Sequence, residues 1–192
     1  MALVLDVSGS IYPVAFEQTK DFIRRVLSKI NVAEDSKVSV VTFTDRAIPR
    51  IYCDEYDSSV TLEQAILNLE YIHDNHLTNI RDGLIKGHET LSIRGCGKAD
   101  AKQIMILISD GNANRGEEGF KGIQKEAEKI RAEGITIIAL GVGKDVRLDV
   151  LRNVTANKSL ILSSRNLDEE AFTKVMHMLT NQQCVDRKIE GI

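Results

Sequence analysis

The order of apolar segments predicts an open, doubly wound α/β fold: a mostly parallel six-stranded sheet, one antiparallel edge strand, and helices on both faces. Three observations carry this prediction. Short aliphatic runs alternate with longer stretches whose apolar residues recur at helical spacing. Two of the runs, 38–43 and 47–52, stand as close together as hairpin strands do, whereas the others are separated by whole crossover helices. Two runs also end in an aspartate, Asp6 and Asp110, and ligands of open α/β sheets sit beyond such strand ends.

Leu3, Val4 and Leu5 make the first strand. Pro13 suits the first turn of the next helix, where its missing N–H costs nothing. Phe16, Ile23, Val26, Leu27 and Ile30 give that helix, predicted over residues 14–31, one apolar face. A polar turn at Glu34, Asp35 and Ser36 leads into the strand at 38–43, and Ala47 to Tyr52 returns as its partner. Helical spacing recurs at Leu62, Ala65, Ile66 and Leu69, then at Ile80, Leu84, Ile85 and Leu91. Residues 104–108 form the clearest buried strand, closed by Ser109, Asp110 and Gly111. Phe120, Ile123, Ala127 and Ile130 repeat on one face of the following helix, which Gly134 ends as a C-cap. A strand at 135–140, a short helix at 148–154, a strand at 160–162 and a last helix at 168–180 complete the pattern. With no repeat, low-complexity tract or linker, residues 1–184 are expected to form one domain and 185–192 a tail. Met1 and Ala2 run straight into the first strand, as expected for a piece of a longer chain with that strand truncated.

Composition excludes some function classes. At 192 residues, 43% of them hydrophobic, the chain can bury a sizeable core. A net charge of −3, without a basic patch interleaved with aromatics, argues against nucleic acid as partner. No apolar run approaches the about 20 residues of a membrane-spanning helix.

The chemistry gathers at the strand ends. Asp6, Ser8 and Ser10 alternate along one loop, so a single bend aims their oxygens at one point. One carboxylate with neutral hydroxyls is a hard-oxygen donor set, suited to magnesium or manganese rather than zinc. If their strands are neighbours at the switch point, Asp110 faces Asp6 across the same crevice, and Thr78, entering a helix, adds a third hydroxyl. Each also has a plainer reading: Ser and Asp cap helices, and Asp-Gly makes turns. Asp82 reads as a favourable charge in a first helical turn. Catalytic patterns are incomplete: Gly141 and Gly143 lack the third glycine of a dinucleotide loop, the segment around Gly95–Lys98 lacks phosphate-loop spacing, and Ser8 stands where a haloacid dehalogenase-type phosphatase needs a second aspartate. No catalytic residue is assigned.

The set Asp6-x-Ser8-x-Ser10, Thr78 and Asp110-Gly111 resembles the metal-ion-dependent adhesion site of von Willebrand factor A domains. Residues 38–47 and 138–143 also look like that family, and the likeness covers essentially the whole chain. It implies a Rossmann-like sheet and a Mg2+ or Mn2+ ion on Asp6, Ser8, Ser10 and Thr78, with Asp110 direct or through water. It further implies an open coordination position that takes a partner's carboxylate, and coupling of capture to movement of the last helix. The family's T-x-T-G-x-A-L loop reads Thr78-Asn79-Ile80-Arg81-Asp82-Gly83-Leu84 here, so the second threonine is replaced. The short step from Gly143 to Leu148 leaves no room for the extra helix of collagen-binding integrin domains, which points to matrix-protein A domains.

On this reading the partner is an extracellular matrix or cell-surface protein, collagen among the candidates, bound through an acidic residue. Tyr12, His76, Asn112 and Arg115 are the rim candidates, on loops at Ile11 and Tyr12, 73–78 and 112–118. The alternatives are an intracellular scaffold domain and a metal-assisted phosphohydrolase. An antiparallel edge strand ends away from the metal face, as does the helix before Cys96, so a Cys53–Cys96 disulfide is expected; the alternative is three free thiols. Cys184 is left for a cysteine upstream. Asn153-Val154-Thr155 and Asn157-Lys158-Ser159 match the N-glycosylation pattern in what reads as a surface connection.

Overall fold

Strand β1 (Ala2–Asp6) is followed by α1 (Pro13–Leu27), β2 (Ser39–Phe43), β3 (Ala47–Ile51), α2 (Ser59–Leu67) and α3 (Ile80–Leu91). The second half runs β4 (Ile104–Ser109), α4 (Gly119–Ala132), β5 (Thr136–Gly141), α5 (Leu148–Thr155), a 3-10 turn (Lys158–Leu160), β6 (Ile161–Ser163) and α6 (Glu169–Cys184). This computed structural model describes residues 1–32, 36–71, 77–93, 96, 101–163 and 167–184, with side chains through Leu179.

The sheet has six strands in the order β3-β2-β1-β4-β5-β6. Only the β2–β3 pair is antiparallel, so the close-spaced hairpin forms the edge, as its short turn requires. Crossover helices cover both faces, and pleat alternation divides the strand residues between two cores. Leu3 and Leu5 join Phe16, Phe22, Val26, Ile106, Leu140 and Val175 beneath α1 and α6. Val4 and Val41 join Leu84, Met105, Ile123, Ala127 and Leu151 beneath α3, α4 and α5. Burial on both sides explains why the parallel strands read as unbroken apolar runs.

Two glycines bring α3 close to the sheet. A Cβ on Gly83 would lie 2.9 Å from the Phe43 ring, and one on Gly87 would lie 2.5 Å from Cγ2 of Val4. That close approach sets the height of Thr78, two residues ahead of the helix.

Several expectations are corrected. Helix α1 stops at Leu27 rather than reaching residue 31, because Lys29 and Ile30 donate back to Val26 and Leu27 in a tightened i→i−3 turn. Helix α6 runs through Cys184, beyond the expected end at residue 180. Phe120 is 43% exposed despite its helical spacing, since the buried positions of α4 begin at Gly122 and Ile123. Asn153 lies inside α5, not in a connection. His76 and the tail at 185–192 lie outside the described residues. Cys53 and Cys96 form a disulfide with Cα atoms 5.3 Å apart, where β3 and α3 both finish, at the end of the sheet away from Asp6. Among the described residues no helix is long and apolar enough to cross a membrane.

Candidate metal centre

The strand order reverses its direction of growth between β1 and β4, and β1 pairs with β2 on its other side. This switch point opens a crevice at the C-terminal strand ends, and both aspartates stand in it. The Ser8 N–H donates to Oδ1 of Asp6 at 3.0 Å, bending the chain back over its own carboxylate. That bend brings the Ser8 and Ser10 hydroxyls within 3.1 Å of each other. From β4, the Ser109 hydroxyl donates to Oδ2 of Asp6 at 2.6 Å. Asp110 forms the same kind of turn, its Oδ1 accepting from the Asn112 N–H at 2.9 Å, and its carbonyl accepts from the Arg147 N–H at 2.7 Å.

Thr78 is strapped into this crevice from both sides. Its N–H donates to Oδ1 of Asn114 at 2.8 Å, and its carbonyl accepts from the backbone N–H groups of Asn114 and Arg115. On the other flank the Asn79 N–H donates to the Thr44 carbonyl at 2.8 Å, and Asp82 accepts from the Ala47 N–H at 2.6 Å. Asp82 therefore does more than favour a helix terminus: it ties α3 to the first residue of β3.

Asp6 is 4% exposed and Asp110 3%. Burial pushes the Asp6 carboxyl up to about 6, against the hydrogen bonds from Ser109 and Ser8, and the neighbouring Asp110 charge adds to the rise. Among the described residues, no Lys, Arg or His is ion-paired with either carboxylate. No hydrogen bond from the described residues reaches the Thr78 hydroxyl or the second oxygen of Asp110. Two buried carboxylates with no ion-paired cation among the described residues, beside hydroxyls with lone pairs to spare, are the donor set that a hard divalent cation satisfies.

The rim is partly as expected. Tyr12 is 61% exposed at the N-cap of α1, and Arg115 is exposed on the loop that holds Thr78. Asn112 instead spends its amide on the Asp145 carbonyl, and Ile11 is buried in the core. Sequence reasoning assigned no role to Ser109, although a polar residue closing an apolar strand was a visible signal. It also missed Tyr71, whose hydroxyl donates to the Ile11 carbonyl at 2.6 Å and whose ring packs on Phe16 at 5.6 Å. Lys20 anchors that segment, donating to the carbonyls of Leu67 and Leu69 while lying over the Phe16 ring.

Comparison with known proteins bears on the same region. The family model for the von Willebrand factor type A domain matches residues 1–181. Mouse Matrilin-4 is 25% identical over 195 residues, covering 100% of this chain and 30% of that protein. The mouse Collagen alpha-5(VI) chain is 28% identical over 166 residues, covering 86% of this chain and 6% of its own length. The chain thus spans under a third of these curated relatives. Among solved structures, proximal thread matrix protein 1 from the mussel byssus superposes with a TM-score of 0.81 at 24% identity, over 95% of this chain and 46% of that one. A second structure of it, described with a zinc-occupied MIDAS motif, gives 0.81 at 23% identity over 95% and 47%. At that identity the structural likeness speaks for the fold.

Proposed function

The chain belongs to the von Willebrand factor type A domain family, and from that premise we propose that it is a metal-dependent protein-binding module. The observation that carries the proposal is the buried Asp6–Asp110 pair, which has no ion-paired cation among the described residues. Asp6, Ser8, Ser10 and Thr78 would hold a magnesium or manganese ion, with Asp110 completing the set directly or through water. Serine and threonine donors carry no charge, so a bound ion would supply the positive charge that recognises a partner's Asp or Glu carboxylate. The rest is done by the chain. Ser109 orients Asp6, the Asn114 and Thr44 straps fix Thr78, and Tyr12 and Arg115 stand exposed as anchors of the kinds favoured at interfaces.

The reading is one of binding rather than catalysis. It is supported by the Ser8 and Ser10 hydroxyls, which bond to each other, with Ser8 also turned to the Asp6 carboxyl, and which among the described residues meet no histidine. The partner is an extracellular matrix or cell-surface protein, collagen among the candidates. The Cys53–Cys96 bridge suits an oxidising compartment, and the matching relatives include proteins named as a collagen chain and a matrilin.

Calorimetry with magnesium and manganese is expected to show one divalent site. Thr78→Ala should weaken it about tenfold or more, as loss of a group at a metal site does, with the circular dichroism spectrum unchanged. Binding to immobilised collagen or fibronectin should appear with magnesium and vanish in chelator. Capture that persists in chelator would move the contact to another face. Phosphatase activity that depends on Asp6 would replace the binding reading with a hydrolytic one.

Tyr71→Phe tests the strap on the metal loop. Losing the bond to the Ile11 carbonyl removes about 1 kcal/mol, so magnesium affinity should fall by up to about fivefold. An unchanged affinity would mean that the loop keeps its shape without Tyr71.

A further inference from the structure

We propose that Asn157, and not Asn153, is the site of N-linked glycosylation on this domain. The proposal rests on the extracellular reading above. The two acceptor tripeptides lie four residues apart in sequence, yet the fold treats them in opposite ways.

Asn153 sits within α5, and its amide nitrogen, the atom that would carry a sugar, donates to the Asp149 carbonyl at 2.7 Å. The hydroxyl its tripeptide needs belongs to Thr155, which is 2% exposed and donates to the Asn157 carbonyl at 3.0 Å. Arg131 from α4 also reaches the carbonyls of Asn153 and Val154. A glycan on Asn153 would break the Asp149 bond on a turn packed between α4 and the sheet.

Asn157 lies just past α5. Ala156 closes that helix in the left-handed region at φ 54°, and the chain then becomes extended, with Asn157 at φ −136° and ψ 119°. Asn157, Lys158 and Ser159 are all exposed. Oδ1 of Asn157 accepts from both the N–H and the hydroxyl of Ser159, at 2.9 and 2.8 Å. This Asx-turn is built from the tripeptide's own atoms, so it needs no tertiary support and is open to a chain still being folded. It commits the carbonyl oxygen and the hydroxyl to each other. The amide nitrogen has no hydrogen bond among the described residues.

The reaction requires a lipid-diphosphate-linked oligosaccharide as donor. The Asn157 nitrogen forms a bond to the anomeric carbon, the bond from that carbon to the diphosphate oxygen breaks, and the lipid diphosphate leaves. The nitrogen's proton passes to a base of the transferase. The resulting glycan stands ahead of β6, at the sheet edge and on the side away from Asp6 and Asp110, so it leaves the metal face open.

The test is secretion of the chain behind a signal peptide from a eukaryotic cell, with intact mass measured before and after enzymatic removal of N-glycans. Wild type and Asn153→Gln are expected to carry one glycan, and Asn157→Gln and Ser159→Ala none. A wild type without sugar, or sugar that survives Asn157→Gln, overturns the assignment. The signal peptide supplies the compartment, so such a failure leaves the extracellular reading standing. Magnesium affinity measured on the same Asn157→Gln protein reports on the metal site independently and should equal that of wild type.

Discussion

Asp6→Asn is expected to abolish divalent-metal binding and, at neutral pH, to make the metal-free domain more stable than wild type. The two effects share one cause. Burial raises the Asp6 carboxyl from its ordinary 3.8 to about 6, so the folded state holds this proton more tightly than the unfolded state does. The stabilising contribution of that proton is complete below 3.8 and is lost as pH rises through about 6. At neutral pH the metal-free wild type therefore carries a penalty on the order of 3 kcal/mol, since each tenfold change in proton affinity is worth about 1.4 kcal/mol. An asparagine cannot ionise and escapes it, while its amide keeps an acceptor for the Ser8 N–H. Urea unfolding in chelator should place the variant above wild type at neutral pH, with the gap closing toward about pH 4. Added magnesium should then raise the wild type alone, by about 2.7 kcal/mol at a hundredfold excess over its dissociation constant. A variant that still responds to magnesium would remove Asp6 from the metal site, and one that falls below wild type at neutral pH would show that the buried carboxylate carries no such penalty.

Loss of the disulfide should give an effect of similar size and opposite sign. Cys53 and Cys96 are 43 residues apart in sequence, and closing a loop of that length restricts the unfolded chain by about 4 kcal/mol. The Cys53→Ala, Cys96→Ala double variant should melt lower by roughly 10 °C. Both cysteines are nearly buried, so part of the loss is packing, and chemical reduction of the wild type isolates the loop contribution. The bridge lies at the far end of the sheet from Asp6, so magnesium affinity of the folded variant should be unchanged. Coincident unfolding curves before and after reduction would show that the link adds nothing to stability.

Most of the architecture was legible because it is written in local periodicity. Residues 104–108 are apolar without a break because β4 is covered on both faces, and Ala47 to Ile51 lies too near β2 for any connection but a hairpin. The bend of the loop at Asp6–Ser10 was legible for the same reason: Asp6, Ser8 and Ser10 make their contacts within two residues of one another. Phe120 marks the limit of this kind of reading. Helical spacing records which residues share a face, not how far along the helix its buried contacts begin.

What the tertiary structure alone decided are the contacts that the chain makes with itself at long range. Ser109 meets Asp6 across 103 residues and Tyr71 meets Ile11 across 60, and neither side chain carries a local pattern that points to the other. The same holds for Thr78, whose height in the crevice follows from two glycines of α3 closing on Phe43 and Val4. The sequence alone determined which oxygens are available and which strands they end. That the two carboxylates sit buried close enough to repel each other came from the pairing of β1 with β4. Strand pairing is a choice among non-local partners, made by the fit of whole helices against both faces of the sheet.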